Sequence, residues 1–321
     1  MRSNKQLIKK ADLALQDLID DGGYLEEKQA RQFIRTAIDQ PTLMNVASIR
    51  PMDREKQSFA KIKFGQRISH PAEEYTATAD TDGKSPTTDK VQLDVVRLKA
   101  VVKLSYEDLW FNIEQEQLRD TIRDMIAERC ALDMEELAVQ GDTGSGDSFL
   151  ALQDGLRQQA LANGHVYDHE GNPVNRSLFK AMVKNMPSQY KRALSQMRFL
   201  SSTNTELEWR DTLAQRGTSL GDTAQTSQRE IPAYGCPLLR VATIPEDITA
   251  DADGDGQDED GLSYTILTHP KNVVYGVHKE IMLESDKDID AGEYIIVARY
   301  NVNIKFMEPD AVVIGKNVKV W

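Results

Sequence analysis

The sequence predicts an elongated α+β fold, and three observations predict it. A long amphipathic helix from about Glu114 to Gln140 carries the stripe Leu118, Ile122, Met125, Ile126, Cys130, Met134 and Leu137, and Gly141 stands where a helix commonly ends. Near the other end of the chain, Tyr294, Ile296, Ala298, Tyr300, Val302, Ile304 and Phe306 alternate with a face that turns polar through Arg299, Asn301, Asn303 and Lys305. Ahead of both in the chain, residues 58–104 read as a long hairpin whose tip, residues 70–90, contains no Val, Ile, Leu or Met. At about 1.5 Å per helical residue and about 3.3 Å per strand residue, the helix and the strand each span roughly 40 Å. Matched lengths predict that one lies along the other as a spine.

Taken in order, residues 7–19 place Ile8, Ala11, Leu15 and Leu18 at helical spacing until "DDGG" (Asp20 to Gly23) ends the pattern. A second amphipathic helix carries Phe33, Ile34, Ala37 and Ile38 and stops before Pro41. The two predict an arm rather than a core. From Ser58 the period becomes two, with Ala60, Ile62 and Phe64 as the apolar face of a half-buried strand. The return strand carries Val91, Leu93 and Val95, and then the apolar parity slips to Val96, Leu98, Ala100, Val102 and Leu104. One slipped residue predicts a bulge, or a strand that leaves one sheet and enters another. An isolated two-stranded ribbon is marginal in water, so the coreless tip is either floppy or held by something outside its own domain, such as a neighbouring copy.

"SYED" (Ser105 to Asp108) opens a short helix through Leu109 and Trp110 ahead of the spine helix. The segment between spine helix and long strand reads as a compact α/β region. It has a turn-rich hairpin "NGHVYDHEGNPVN", a helix through Leu178, Phe179, Met182 and Val183, a strand "RFLSS" and a helix "NTELEWRDTLAQ". Short strands follow in "CPLLRVATIP" and "LSYTILTH".

The bulk properties exclude several classes. The 321 residues can bury a large core in one large domain or two. No apolar run is long enough to cross a bilayer, and the N-terminus has no uninterrupted apolar core of a secretion signal, so cytoplasmic production is expected. Acidic residues number 51 against 39 basic ones, for a formal charge of -12. A chain that grips nucleic acid by neutralising phosphates needs clustered Lys and Arg, which this one lacks beyond its first ten residues. The two cysteines, Cys130 and Cys236, have no metal-like spacing and read as small buried apolar residues.

Several stretches in this order resemble the major capsid proteins of tailed bacteriophages, which share the Hong Kong 97-like fold. They are "LSYEDLWFNIEQEQLRDTIRDMIAERCALDMEELAVQGD", "YGCPLLRVATIP", "HPKNVVYGVHKEIMLE" and "RYNVNIKFMEPDAVVIGK". The likeness runs from about residue 45 to 321. It implies an N-terminal helical arm (1–45), the start of a P-domain (46–57), an extended E-loop hairpin (58–104) and a P-domain spine helix (105–140). It further implies an A-domain (141–275), P-domain long strands (276–306) and a C-terminal strand returning to the A-domain (307–321). The implied function is structural: self-assembly into the hexamers and pentamers of an icosahedral shell that encloses double-stranded DNA without sequence-specific binding. By the same resemblance the chain is no enzyme and needs no cofactor, metal or membrane. Its partners are further copies of itself, scaffolding and portal proteins and possibly a decoration protein, and it resides in the virion capsid after assembly in the bacterial cytoplasm. An encapsulin-like compartment shell is the alternative within this fold, and a calcium-binding enzyme the alternative outside it.

Some members crosslink an E-loop Lys to a P-domain Asn of a neighbour. Lys84 would be the donor here, but no Asn occurs between Asn272 and Asn301, so no covalent crosslink is expected. Only about 45 residues precede the body, which implies a separate scaffolding protein.

Three other motifs have the outline of sites. In "DADGDGQDEDG", Asp251, Asp253, Asp255, Gly256 and Glu259 match positions of a calcium loop, but position 12 is Leu262 where a bidentate Glu is required. The flanks read as strands, so a solvated acidic turn is expected. His165 and His169 are four apart, a metal-ligand spacing only if they share a helix, and they flank a turn. "GDTGSGD" lacks the Gly-Lys-Ser/Thr of a phosphate loop and follows a helix instead of a strand. The sequence therefore names no catalytic, cofactor-binding or metal-binding residue.

Overall fold

The computed structural model describes residues 42–63, 69, 87–105, 117–215, 230–252, 254, 257–278 and 282–320. Residues 1–41 of the predicted arm, the hairpin tip with Lys84, the short helix after Ser105, and Asp253, Asp255 and Gly256 lie outside them. In chain order come β1 (Ser48–Met52), β2 (Lys56–Lys63), β3 (Thr87–Asp94), β4 (Val96–Ser105) and α1 (Gln117–Gln140). Next are α2 (Leu156–Asn163), β5 (His165–Asp168), α3 (Arg176–Asn185), β6 (Arg198–Ser201), α4 (Thr203–Ala214), β7 (Pro232–Ala233) and β8 (Cys236–Arg240). The chain closes with β9 (Ile248–Ala250), β10 (Glu259–Thr268), β11 (Val273–His278), β12 (Met282–Asp288), β13 (Glu293–Phe306) and β14 (Val313–Lys319).

The predicted spine is present. Strand β13 has 14 residues, about 46 Å, and helix α1 has 24, about 36 Å. β13 is the axis of a five-stranded sheet: β4 pairs along one side, β12 and then β11 along the other, all antiparallel, and β1 adds in parallel beyond β11. Its even-numbered residues from Tyr294 to Phe306 are buried in one core with Ile126, Cys130, Met134, Leu137 and Ala138 of α1. Cys130 of α1 and Tyr300 of β13 are both buried in this core. Each large aliphatic side chain so buried contributes about 1.5–3 kcal/mol. Met125, assigned to the stripe, is instead 62% exposed: it sits one position before Ile126, just off the face that meets the sheet.

A seven-stranded sheet runs β5-β14-β10-β6-β8-β7, with β9 also on β10. Its two faces bury different residues of the same strands. Leu200, Ile266 and Ile314 join the core of α1, whereas Phe199, Leu267 and Val313 pack with α3 and α4. There Phe179 meets Phe199 and Trp209 edge-on at centroid distances of 4.9 and 4.8 Å. Both helices start on side-chain caps: Asn175 accepts from the amides of Ser177 and Leu178, and Ser202 from that of Thr205.

The expected hairpin at "NGHVYDHEGNPVN" takes a different form. His165–Asp168 pairs in parallel with β14, and beyond the turn Pro173 bridges Lys319 in the same sense. The two arms of the turn thus follow one strand and do not pair with each other, because the end of the chain supplies the partner for both. Glu170 and Gly171 carry the turn at positive φ.

Gly141 of "VQGDTGSGD" and Gly155 beyond it serve packing. A Cβ at Gly141 would stand 2.5 Å from the Gln153 carbonyl oxygen, and one at Gly155 would stand 2.7 Å from both the Ala138 carbonyl and the Gly141 amide. The loop after α1 closes through Gly155 N–H to Gly141 O at 2.8 Å, an approach that leaves no room for a side chain.

Candidate assembly surface

The two-stranded ribbon β2–β3 belongs to neither large sheet: over its eight pairs, from Lys56↔Asp94 to Lys63↔Thr87, each strand pairs, among the described residues, only with the other. The parity slip marks its root. Val95 separates β3, paired to β2, from β4, paired to β13, so the chain changes sheets at one residue, and the Val95 amide donates to the Glu55 carbonyl at 3.0 Å.

On β3 the inward face is the expected one, with Leu93 fully buried, but on β2 it is the opposite of the one the apolar alternation predicts. Ile62 is 66% exposed and Ala60 is exposed, while Phe59 and Lys61 turn toward the body. Local partners decide this. Phe59 packs with Met52, Leu93 and Val274 under the Arg50 guanidinium, 5.2 Å from its ring. The Lys61 ammonium reaches the Met307 carbonyl at 3.1 Å and the Glu308 carboxylate at 2.7 Å.

Two more residues of the closing strand hold the root. Asn303 Nδ2 donates to the Asp94 carbonyl at 2.7 Å, and Lys305 Nζ to the Gln92 carbonyl at 3.0 Å. Sequence reasoning placed both on a face that turns polar, and there Asn303 is buried under the ribbon. Gly276 lies beneath the same contact, where an added Cβ would meet Met52 Sδ at 2.6 Å and Leu93 Cδ1 at 2.9 Å. Outward on the described ribbon are Lys56, Ser58, Ala60, Ile62, Thr88, Lys90 and Gln92, an exposed surface of small and polar residues with one large aliphatic.

A second junction, absent from the sequence reading, centres on Glu135 of α1. Its carboxylate is buried and accepts from the Leu43 amide at 3.1 Å and from the Thr42 and Thr243 hydroxyls, each at 3.3 Å. It fixes the point at which the N-terminal segment joins the body. Burial outweighs these donors and raises its pKa above the ordinary value. A buried acid on an amphipathic helix has no sequence signature; periodicity reads it as solvated.

The site-like motifs are placed as follows. Asp251 Oδ1 accepts from the Gly254 amide at 2.8 Å and Glu259 Oε2 from the Ala252 amide at 2.7 Å, so both carboxylates brace a turn between the antiparallel strands β9 and β10. Leu262, at position 12, is fully buried in β10. His165 lies on β5, and His169 is buried in the following turn with Nε2 3.1 Å from the Pro173 carbonyl oxygen; burial lowers its pKa. Among the described residues no group of three or more His, Cys, Asp and Glu side chains is arranged to hold a metal. Asn272 holds the turn before β14, donating to Thr268 Oγ1 and the Glu308 carbonyl and accepting from the Glu308 amide. Asn301 lies on β13 opposite Arg97.

No family model matches the chain. A curated protein of Bacillus subtilis (strain 168), named "Putative prophage capsid protein YqbE", is 40% identical over 318 residues, covering 99% of each chain. The chain belongs to this prophage capsid protein family. Solved structures agree on the fold. A chain of the satellite phage P4 procapsid, solved with its size determination (Sid) protein, matches with a TM-score of 0.66 at 15% identity over 100% of this chain and 99% of that one. The capsid of an empty GTA particle matches at 0.58, with 14% identity and coverage of 87% and 90%. The SrpI encapsulin of Synechococcus elongatus PCC 7942 gives 0.53, with 15% identity and 87% coverage of each chain. The capsid protein therefore has the Hong Kong 97-like fold expected from its sequence.

Proposed function

We propose that this protein is the structural subunit of an icosahedral phage head. The observation that carries the reading is the full-length likeness to a prophage capsid protein at 40% identity. The geometry supports it: a two-stranded ribbon that belongs to neither large sheet gains stability by lying on another copy. On this reading residues 58–104 are the E-loop, 105–140 with 276–306 the P-domain, and 141–275 the A-domain at the capsomer centre. Copies assemble into hexamers and pentamers around double-stranded DNA, with scaffolding, portal and possibly decoration proteins as partners. The excess of acidic residues suits a container that must release its contents. Strength comes from packing, since the Asn272 amide is engaged on both its nitrogen and its oxygen. The role is mechanical and uses no catalytic group.

Electron microscopy of particles purified from cells carrying the prophage tests this. Closed icosahedral shells containing DNA are expected. Shells filled with a cargo enzyme would move the assignment to an encapsulin-like compartment, and a soluble, non-assembling globule would end it.

A further inference from the structure

The five-stranded sheet is covered by α1 on one face only. On the other, strand register puts three rows side by side. β4 contributes Arg97, Lys99 and Lys103, and β12 contributes Glu284, Asp286 and Asp288. Between the charged residues runs an apolar row of Val101, Ile295 and Val297, of which Val101 is 47% exposed. Lys287, the cation within β12, points to the opposite face. The sheet is thus polarised across its width, basic along one flank and acidic along the other. Both flanks are edges: among the described residues β4 and β12 pair with β13 alone.

We infer that these flanks are the two halves of a head-to-tail contact, in which the basic β4 side of one copy docks against the acidic β12 side of the next. The occupant is a second copy because the sheet carries both charges of the complementary pair. A two-fold edge-to-edge arrangement would set cation against cation, whereas head-to-tail repetition sets cation against anion at every contact and generates rings. Most of the charge is matched within the subunit, by Arg97 with Glu55, Lys103 with Glu293 at 2.9 Å and Arg299 with Glu284 at 2.6 Å. Lys99 has no ion pair among the described residues, and Asp286 accepts only from the Lys287 amide, which leaves these two as the pair that a neighbour completes. The contact rests on the shell reading above and supplies the chemistry by which its copies find their order.

The full chain is purified as wild type, Lys99→Glu, Asp286→Lys and the double variant, with circular dichroism confirming that each is folded. Sedimentation velocity at low salt reads association, and electron microscopy of the same samples reads closure. Each single reversal is expected to weaken association by about tenfold or more, and the double variant to return to within about threefold of wild type. Single variants that associate like wild type, or association that stops at a dimer, would overturn the inference. Association that follows the charges without any closed shells leaves the surface standing and removes the shell reading. Shells formed by every single variant remove the surface and leave the shell reading.

Discussion

Asn303 of the closing strand donates its side-chain amide to the backbone carbonyl of Asp94, 2.7 Å away, and accepts no hydrogen bond in the opposite direction from the ribbon. One buried side chain thereby ties the projecting hairpin to the spine. Its Nδ2 also lies 3.2 Å from Gln153 Oε1, so the same group reaches the loop that follows α1.

Asn303→Ala removes both bonds and strands the Asp94 carbonyl under the ribbon. Leaving a buried acceptor unpaired costs about 1–3 kcal/mol, so the urea midpoint should fall accordingly. Hydrogen exchange should show the loss concentrated at residues 92–95, with α3 and α4 unaffected.

Glu135 carries a pH prediction. Its folded pKa lies above the ordinary 4.5 because burial disfavours the charge. A raised pKa means that this group's stabilising contribution is full below the unfolded value and is lost as pH rises through the folded one. Glu135→Gln cannot ionise and can still accept from the Leu43 amide while donating to the threonine hydroxyls. Between pH 4.5 and 7 the stability difference between variant and wild type should therefore shift in the variant's favour, measured by urea unfolding at each pH. A constant difference would refute the assignment.

The close glycine contacts predict a ranking. In Gly155→Ala the new Cβ meets backbone at 2.7 Å, which cannot yield, whereas in Gly276→Ala it meets the movable ends of Met52 and Leu93. Overpacking costs about 1–3 kcal/mol, so Gly276→Ala should remain folded with a lower melting temperature. Gly155→Ala should lose more, and expression in soluble form is the first readout.

Cys130 and Cys236 are buried free thiols whose pKa values are both pushed up to about 11 by burial. The thiolate is the reactive form, so a disulfide reagent at pH 8 should label neither in the folded subunit and both after denaturation.

Deleting residues 70–86 should leave far-ultraviolet circular dichroism close to wild type and abolish closed particles. Normal shells from the shortened chain would show the hairpin tip to be dispensable.

Much of the architecture could be read from periodicity. The long strand and the spine helix announced themselves through unbroken patterns, and the parity slip after Val95 located the transfer between sheets because a one-residue shift moves every side chain to the other face. Pairing between distant segments was not legible: β1 with β11, β5 with β14 and β6 with β8 are parallel pairs whose partners leave no local trace. The facing of β2, though not of β3, was misread for a physical reason. Lys61 turns inward since a carboxylate and a carbonyl await its ammonium, and Ile62 is left outward by the same rotation. Glu135 and Asn303 escaped notice because buried polar residues look like solvated ones until the groups that satisfy them are placed.

The limb leaves the body by two narrow necks, Asp53 to Glu55 between β1 and β2 and Val95 alone between β3 and β4. Any swing of the ribbon must be absorbed by the torsions of these four residues and must exchange its contacts with the body, those of Phe59, of Lys61 with Glu308, and of Asn303 and Lys305 with the ribbon's carbonyls. Neither sheet interior has to rearrange. A single rigid body can thus present its outstretched hairpin at different pitches, which is what a tile needs if it is to sit on both the flat panels and the sharp corners of one closed surface.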